Sequence, residues 1–165
     1  DQPMKRIRAV KTALVLLLAL GAALAACGCS CTVEGGVHTY RTYTFSVETG
    51  DRVRLALDTA DGYDLSAELP FEISQDGTVL TQGVFIEAAQ YESYAAAVAA
   101  DPDAALIESG ERDGNPYLFW RYGMSEYNIA LLLDGSRTGV LLGNAVSEAS
   151  ARACFDRLTV ALAQD

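Results

Sequence analysis

The chain has very little of what most enzyme active sites are built from. Its 165 residues include one histidine, His38, and no lysine after Lys11. A Ser-His-Asp or Cys-His arrangement needs an imidazole that a third group holds in place, and a phosphate-binding loop needs a lysine. The motifs G-x-S-x-G and H-E-x-x-H are also missing from the sequence. We therefore expect a protein that is not an enzyme, with no catalytic residues and no cofactor.

Proline and long apolar runs are scarce as well. The sequence has 4 prolines and one long apolar run, at residues 13–26. A single run excludes a membrane protein with several spans. Apolar residues nevertheless make up 50% of the chain, which excludes a wholly disordered or collagen-like protein. The length is that of one domain.

The first 26 residues have the pattern of a secretory signal peptide. A short basic stretch precedes the apolar run, and small residues end it. The basic residues are Lys5, Arg6, Arg8 and Lys11. The run has about 14 residues, fewer than the roughly 20 that a membrane-spanning helix needs. We predict a signal peptide over residues 1–26, in which residues 1–3 are an upstream remnant before Met4.

The end of the apolar run, Leu24-Ala25-Ala26-Cys27, resembles a bacterial lipobox. The resemblance implies that Cys27 receives a diacylglyceryl group and becomes the mature N-terminus. Each buried CH₂ of such a lipid contributes about 0.8 kcal/mol to membrane binding. We therefore expect an exported lipoprotein, anchored on the outer face of the cytoplasmic membrane or in the cell envelope without spanning it. The alternative is an ordinary signal peptide followed by a chance cysteine.

The chain that remains after such processing is strongly acidic. From Cys27 onward it has 21 acidic and 8 basic residues, a formal net charge of −13, and every basic residue is an arginine. This charge repels nucleic acid and anionic lipid headgroups. We expect no nucleic-acid partner, contact with the membrane only through the lipid, and a protein as the main candidate partner. Cations and cationic ligands remain alternatives.

Composition divides the mature chain into a tether and a domain. Residues 28–39 show no periodicity, so we predict a lipidated cysteine and flexible tether over residues 27–39 and a single folded domain over residues 40–165. Cys29 and Cys31 are interpreted as incidental thiols, because a zinc site with His38 would lack the usual paired ligand sets. Cys154 is predicted to be a small buried residue.

Hydrophobic periodicity predicts strands in both halves of the domain and two helices. Alternation predicts strands near residues 43–47 and 53–57, a hairpin turn at Asp76-Gly77, and a meander over residues 117–122, 127–133 and 140–142. A helix is expected over residues 87–99, with a stripe at Ala88, Tyr91, Ala95 and Val98. A second is expected to start at the N-cap Ser147 and to continue to Leu162.

This order of elements resembles the Mog1/PsbP-like domains that recur in small bacterial lipoproteins. The resemblance covers roughly residues 40–162. The segment 135–144 also resembles uncharacterised lipoproteins of anaerobic Gram-positive bacteria. What the resemblance implies is an α+β fold, a three-layer α/β/α sandwich on a mainly antiparallel sheet, with a role in binding or assembly.

Two groups of residues are candidates for a binding site. The first is an aromatic cluster with one arginine, a composition favoured at binding surfaces but equally common in cores: Tyr91, Tyr117, Phe119, Trp120, Arg121 and Tyr127. The second is a set of carboxylates, Asp58, Asp61 and Asp64, whose oxygens suit Ca²⁺. Solvated flanks of an ordinary turn explain the same spacing.

The function expected from the sequence is that of a non-enzymatic, lipid-anchored extracytoplasmic protein with a protein-binding or assembly role. The alternative is a lipoprotein that binds a small molecule or a cation such as Ca²⁺.

Overall fold

The computed structural model describes residues 29–35 and 38–164, and only the backbone of residues 29–35 and 38. This part of the chain has an α+β fold with two antiparallel sheets and two α-helices. The strands are β1 (Cys29–Gly35), β2 (His38–Ser46), β3 (Arg52–Asp58), β4 (Tyr63–Leu65), β5 (Phe71–Gln75), β6 (Thr78–Glu87), β7 (Ala104–Arg112), β8 (Asn115–Tyr122), β9 (Glu126–Leu132), β10 (Thr138–Asn144) and β11 (Leu158–Leu162). The helices are α1 (Ala88–Ala100) and α2 (Glu148–Arg157).

The large sheet has seven strands in the order β4-β5-β6-β10-β9-β8-β7. Each neighbouring pair is antiparallel, so the predicted meander of β8, β9 and β10 is confirmed. The predicted hairpin turn between β5 and β6 is confirmed as well. Asp76 and Gly77 have φ values of 49° and 83°, the left-handed geometry that a two-residue hairpin turn requires and that an Asp-Gly pair tolerates.

The small sheet has the order β1-β2-β3-β11. Its last strand, β11, lies where a helix was expected from the sequence. The second helix was expected to run to Leu162, but it ends at Arg157, and Leu158 already has extended geometry, with φ −95° and ψ 128°. Residues 158–162 pair with β3, for example Val160 with Leu55. The physical reason is that Leu158 and Val160 point inward at alternate positions, and the free edge of β3 supplies backbone hydrogen bonds.

The segment expected to be a tether differs in the same way. Residues 29–35 form β1, which pairs with β2 from Cys29↔Thr44 to Gly35↔His38. Thr32 and Val33 favour strands, and β2 offers them an antiparallel partner. The expectation of a flexible tether is thus corrected for residues 29–35, which belong to the small sheet.

Apolar side chains form two clusters on opposite faces of the large sheet. The larger cluster contains Phe85 and Phe119, the small sheet and the inner side of α2. The smaller cluster contains Val84, Trp120 and the inner side of α1. Neighbouring strand residues point to opposite faces, so the adjacent residues 84 and 85, like 119 and 120, fall into different clusters. One helix therefore packs against each face.

Both helices begin with side-chain caps. The Ser147 hydroxyl accepts a hydrogen bond from Ser150 N at 3.0 Å, which confirms the predicted N-cap of α2. At the start of α1, Gln90 Oε1 accepts from Glu87 N at 2.8 Å. Tyr91 of the predicted stripe is buried, together with Tyr94 one turn later. Among the helices in the described ranges, none is long and apolar enough to cross a membrane.

Candidate functional site

The sequence-predicted aromatic cluster is divided between the two faces of the large sheet. Trp120 and Tyr91 belong to the smaller apolar cluster under α1. Phe119 belongs to the larger cluster, with Tyr117 and Tyr127 packed against its edge, and the ring of Tyr117 meets Phe155 of α2 edge-on at 5.2 Å. Arg121 is exposed. The structure does not bring these six residues together in one pocket, and the aromatic side chains mainly fill the core.

The three candidate calcium ligands contact arginines instead of each other. Asp61 Oδ2 lies 2.6 Å from Nη2 of Arg157, and Asp58 Oδ1 lies 3.9 Å from Nη1 of the same side chain. Asp64 pairs with Arg41 at 2.6 Å. Within residues 29–35 and 38–164, no three His, Cys, Asp or Glu side chains are grouped as metal ligands would be. In the structure these three carboxylates are therefore placed with arginines and are not grouped around a common point.

Three arginines attach α2 to its surroundings through a ring and a carboxylate each. Arg157 stacks over Tyr63 at 4.1 Å. Arg112 lies 3.6 Å above the ring of Phe155 and pairs with Asp156 at 2.8 Å. Arg152 lies over a ring of β8 at 5.1 Å and bonds Glu108 at 2.7 Å. The hydrogen bond from Arg152 is the main reason why the pKa of Glu108 is lowered. These side chains hold α2 on the fold.

An open cavity of about 420 Å³ lies where α1 begins. It is lined by Glu48, Thr49, Glu87, Ala88, Ala89 and Arg137. Behind it, the buried Thr138 hydroxyl donates to Asp51 Oδ2 at 2.7 Å and lies 2.6 Å from the Thr49 hydroxyl. The Arg137 backbone N–H donates to the same carboxylate oxygen at 3.2 Å. This network joins the two sheets, and the cavity above it has one cation between two carboxylates.

Three exposed apolar side chains belong to segments that meet the opposite end of the large sheet. Val79 is 43% exposed, Met124 is 91% exposed and Val146 is 58% exposed. Val79 lies two residues before Thr81, which pairs with Asn144, and Val146 lies two residues after Asn144, in the loop between β10 and α2. Asn144 also pairs with Tyr127 of β9, directly after the β8–β9 turn that carries Met124. We call Val79, Met124 and Val146 the apolar rim.

Carboxylates border the apolar rim on the side of β7. The loop after α1 is tied to the Met124 turn, because Gly123 N donates to the backbone oxygen of Asp103 at 2.9 Å. Asp101 Oδ1 accepts from Asp103 N at 2.8 Å. Glu126 begins β9, opposite Tyr122. We call Asp101, Asp103 and Glu126 the rim carboxylates; none of them forms an ion pair with another described residue.

The charges of the three rim carboxylates act together on the side chain of Tyr122. Its side chain is 4% exposed, and its hydroxyl has no hydrogen-bond partner within the described part of the chain. Burial raises the pKa of Tyr122, and the charges of Asp101, Asp103 and Glu126 raise it further. The three carboxylates therefore act on one point at the end of β8, as an anionic patch beside the apolar rim.

Sequence reasoning missed the apolar rim. The one available signal was Met124, a large apolar residue within the short turn Gly123-Met124-Ser125, where polar residues are the rule. The other two members could not be found without the strand register, because Val79 and Val146 are far apart in the chain and reach the same end of the sheet only through the pairing of β6 with β10.

Comparison with known proteins gave no relatives for this chain. No protein-family model matches it, and no curated protein and no solved structure matches it significantly.

Proposed function

We propose that the chain is a lipid-anchored, extracytoplasmic lipoprotein whose domain binds another protein and has an assembly role. The observation that carries the proposal is the apolar rim. Exposed apolar residues scattered singly over a surface are ordinary, whereas these three share one end of the large sheet. Methionine suits such a site, since its unbranched, polarizable side chain adapts to different partners.

The anchor part of the proposal rests on the sequence. Cys27 lies outside the described residues, and its lipidation is supported by the basic stretch, the apolar run and the lipobox-like end of that run. The strand β1 begins at Cys29, so only one residue, Gly28, separates the lipidated residue from the small sheet. A lipidated protein would therefore hold this sheet close to the bilayer, since one residue extends by only about 3.5 Å.

A non-enzymatic role is part of the same proposal. Its support is the sequence composition, with one histidine and no lysine in the mature chain. Of the arginines that could serve an anionic substrate, four already pair with carboxylates in the structure: Arg41, Arg112, Arg152 and Arg157. A reaction carried by carboxylates would need two of them buried in one cleft with raised pKa values.

We also propose that the domain is a Mog1/PsbP-like, three-layer sandwich. The placement of α1 and α2 against opposite faces of the large sheet supports this assignment. The small sheet departs from a simple α/β/α arrangement, because β2, β3 and β11 share one face of the large sheet with α2. An experimental structure that superposes on such domains over β6–β10 and both helices would support it, and one that matches only the sheet would contradict it.

Binding of a small molecule is the second candidate function, favoured by the cavity at the start of α1. A zwitterion would place its anionic group beside Arg137 and its cationic group beside Glu48 or Glu87. Native mass spectrometry of the protein from its own source tests this alternative. A reproducible added mass that disappears on denaturation and in Arg137→Gln would favour the small molecule over the protein partner.

The protein-binding proposal is tested by changing the apolar rim without changing charge. In the triple variant Val79→Thr, Met124→Gln and Val146→Thr, the apolar rim becomes polar. Its matched control is the pair Leu106→Gln and Leu162→Gln, which removes two exposed apolar side chains elsewhere. The readout is the size of the solubilised native complex from cells that produce the protein.

We expect the wild type and the control to migrate within a larger complex and the triple variant to migrate as free protein. A complex that survives in the triple variant would contradict the proposal. Labelling with an alkyne-bearing fatty acid, expected for the wild type and lost in Cys27→Ser, tests the anchor separately.

A further inference from the structure

The turn that carries Met124 connects the apolar rim to the rim carboxylates. The Met124 turn joins β8 to β9, so Tyr122 and Glu126 pair directly below it. The loop of Asp101 and Asp103 is hydrogen-bonded to the same turn through Gly123. The most exposed apolar side chain of the described residues thus stands between carboxylates on both sides.

The rim carboxylates, unlike several other carboxylates of the protein, have no arginine partner among the described residues. Asp61, Asp64, Glu108 and Asp156 each lie within 2.8 Å of an arginine nitrogen. The arginine nearest in sequence to the rim carboxylates, Arg121, belongs to the opposite face of β8 from Tyr122, since the two residues are adjacent in a strand. A partner that brings a cation would therefore find charges that no described arginine has already paired.

The charge of the whole domain argues against a second copy as the occupant. The mature chain carries a net charge of −13 and no lysine, so two copies repel each other at this acidic surface. The chain's own lysines, Lys5 and Lys11, belong to the predicted signal peptide and would be removed on export. From Cys27 onward, 8 arginines stand against 21 acidic residues, so another molecule supplies a cationic surface more readily than a second copy does.

We propose that the apolar rim and the rim carboxylates together bind a cationic amphipathic segment of a partner protein, in which lysine or arginine side chains flank apolar ones. This inference rests on the proposed protein-binding function and names the chemistry of the partner. The apolar side chains of the partner cover Met124, Val146 and Val79, and its cations reach Asp101, Asp103 and Glu126. Rim charges of this kind mainly determine which partner is accepted and how fast it associates.

The probe is an amidated twelve-residue peptide with leucine and lysine at helical spacing, titrated against the exported protein in 0.15 M NaCl. A second peptide has glutamine at every lysine position. At this ionic strength charges are screened over about 8 Å. A charge at the far end of β9, six residues from Glu126, lies about 20 Å away at roughly 3.3 Å per residue, so it should contribute little to binding at the rim.

Two protein variants with the same change of charge locate the binding site. The first, Asp103→Asn with Glu126→Gln, removes two rim carboxylates. The second, Glu111→Gln with Asp134→Asn, removes two exposed carboxylates at the opposite end of the large sheet. We expect the Kd of the lysine peptide to rise about tenfold in the first variant and less than about twofold in the second. Met124→Gln should also weaken binding, by about fivefold.

Each alternative result has a distinct meaning. If the glutamine peptide binds as tightly as the lysine peptide and Met124→Gln weakens both, the apolar rim is a docking site but the cationic partner is wrong. If both charge variants weaken binding equally and Met124→Gln has no effect, the acidic domain attracts cations without a defined site, and both the inference and the role of the rim are wrong. Failure of the lysine peptide to bind overturns the inference directly.

Discussion

Replacing Tyr94 with phenylalanine examines the packing between α1 and the large sheet. The Tyr94 side chain is 6% exposed and its ring lies 5.7 Å from that of Trp120. Its hydroxyl is buried without a hydrogen-bond partner in the described part of the chain. A buried hydroxyl of this kind costs about 1–3 kcal/mol in lost hydration. Phenylalanine keeps the ring and removes the hydroxyl, so we expect the free energy of unfolding at pH 7 to rise by about 1 kcal/mol.

The effect of Tyr94→Phe on the free energy of unfolding also depends on pH. Burial raises the pKa of Tyr94 from 10.0 to about 12. Between these two values the unfolded chain has lost a proton that the folded protein still holds. The free energy of unfolding therefore falls as the pH rises, by about 1.4 kcal/mol per pH unit. Below pH 10 both states are protonated and this contribution is constant. Phenylalanine has no proton to lose, so the advantage of Tyr94→Phe should grow by about 1 kcal/mol between pH 9 and pH 11.

Urea unfolding at pH 7, 9 and 11 measures both effects, followed by circular dichroism because the mutation touches Trp120. Tyr127→Phe, which removes a partly buried tyrosine hydroxyl from the other cluster, is the control at pH 7. We expect it to change the free energy of unfolding by less than about 0.5 kcal/mol. A lower stability of Tyr94→Phe at pH 7, or a difference from wild type that stays constant up to pH 11, would refute the reasoning.

Three further substitutions test particular contacts by urea unfolding at pH 7. A Cβ at Gly83 would lie 2.1 Å from Cζ of Phe71, so Gly83→Ala should lower the free energy of unfolding by about 1–3 kcal/mol. Adding Phe71→Leu to this variant should recover part of the loss. If the losses of the two substitutions simply add in the double variant, the clash is refuted. Ser147→Ala removes the cap of α2 and should cost about 1 kcal/mol, while Ser147→Asn should cost much less. Arg157→Lys removes the planar guanidinium that stacks on Tyr63 and bonds Asp61, and we expect the free energy of unfolding to fall by about 1 kcal/mol. An unchanged midpoint of urea unfolding would show that these contacts do not contribute to stability.

Much of the fold could be predicted where local pattern and local pairing agree. In the back half, apolar alternation is interrupted only by short turns, and strands joined in this way pair with their neighbours. The strand β11 was not predicted because its apolar residues fit two patterns. Over the five residues Leu158 to Leu162, the three- and four-residue steps of a helix coincide with the alternation of a strand. Only its distant partner β3 decides between the two, and the same is true of β1 with β2.

The candidate site was harder to predict than the fold. Adjacent aromatic residues such as Phe119 and Trp120 looked like one cluster in the sequence, although a strand sends them to opposite faces. The spacing of Asp58, Asp61 and Asp64 could not reveal Arg157, which reaches two of them from the end of α2. The location of an exposed side chain depends on the folded surface, and Val79 and Val146 reach the same end of the sheet only through the pairing of β6 with β10.

The central claim, that the apolar rim contacts another protein, is tested most directly by photo-crosslinking in cells that produce the protein. A photoreactive phenylalanine analogue replaces Met124 in one strain and Glu111, at the opposite end of the large sheet, in another. We predict a discrete adduct from position 124, identified by mass spectrometry as a polypeptide with a basic, amphipathic contact segment, and none from position 111. Equal adducts from both positions, or no adduct from position 124, would contradict the account.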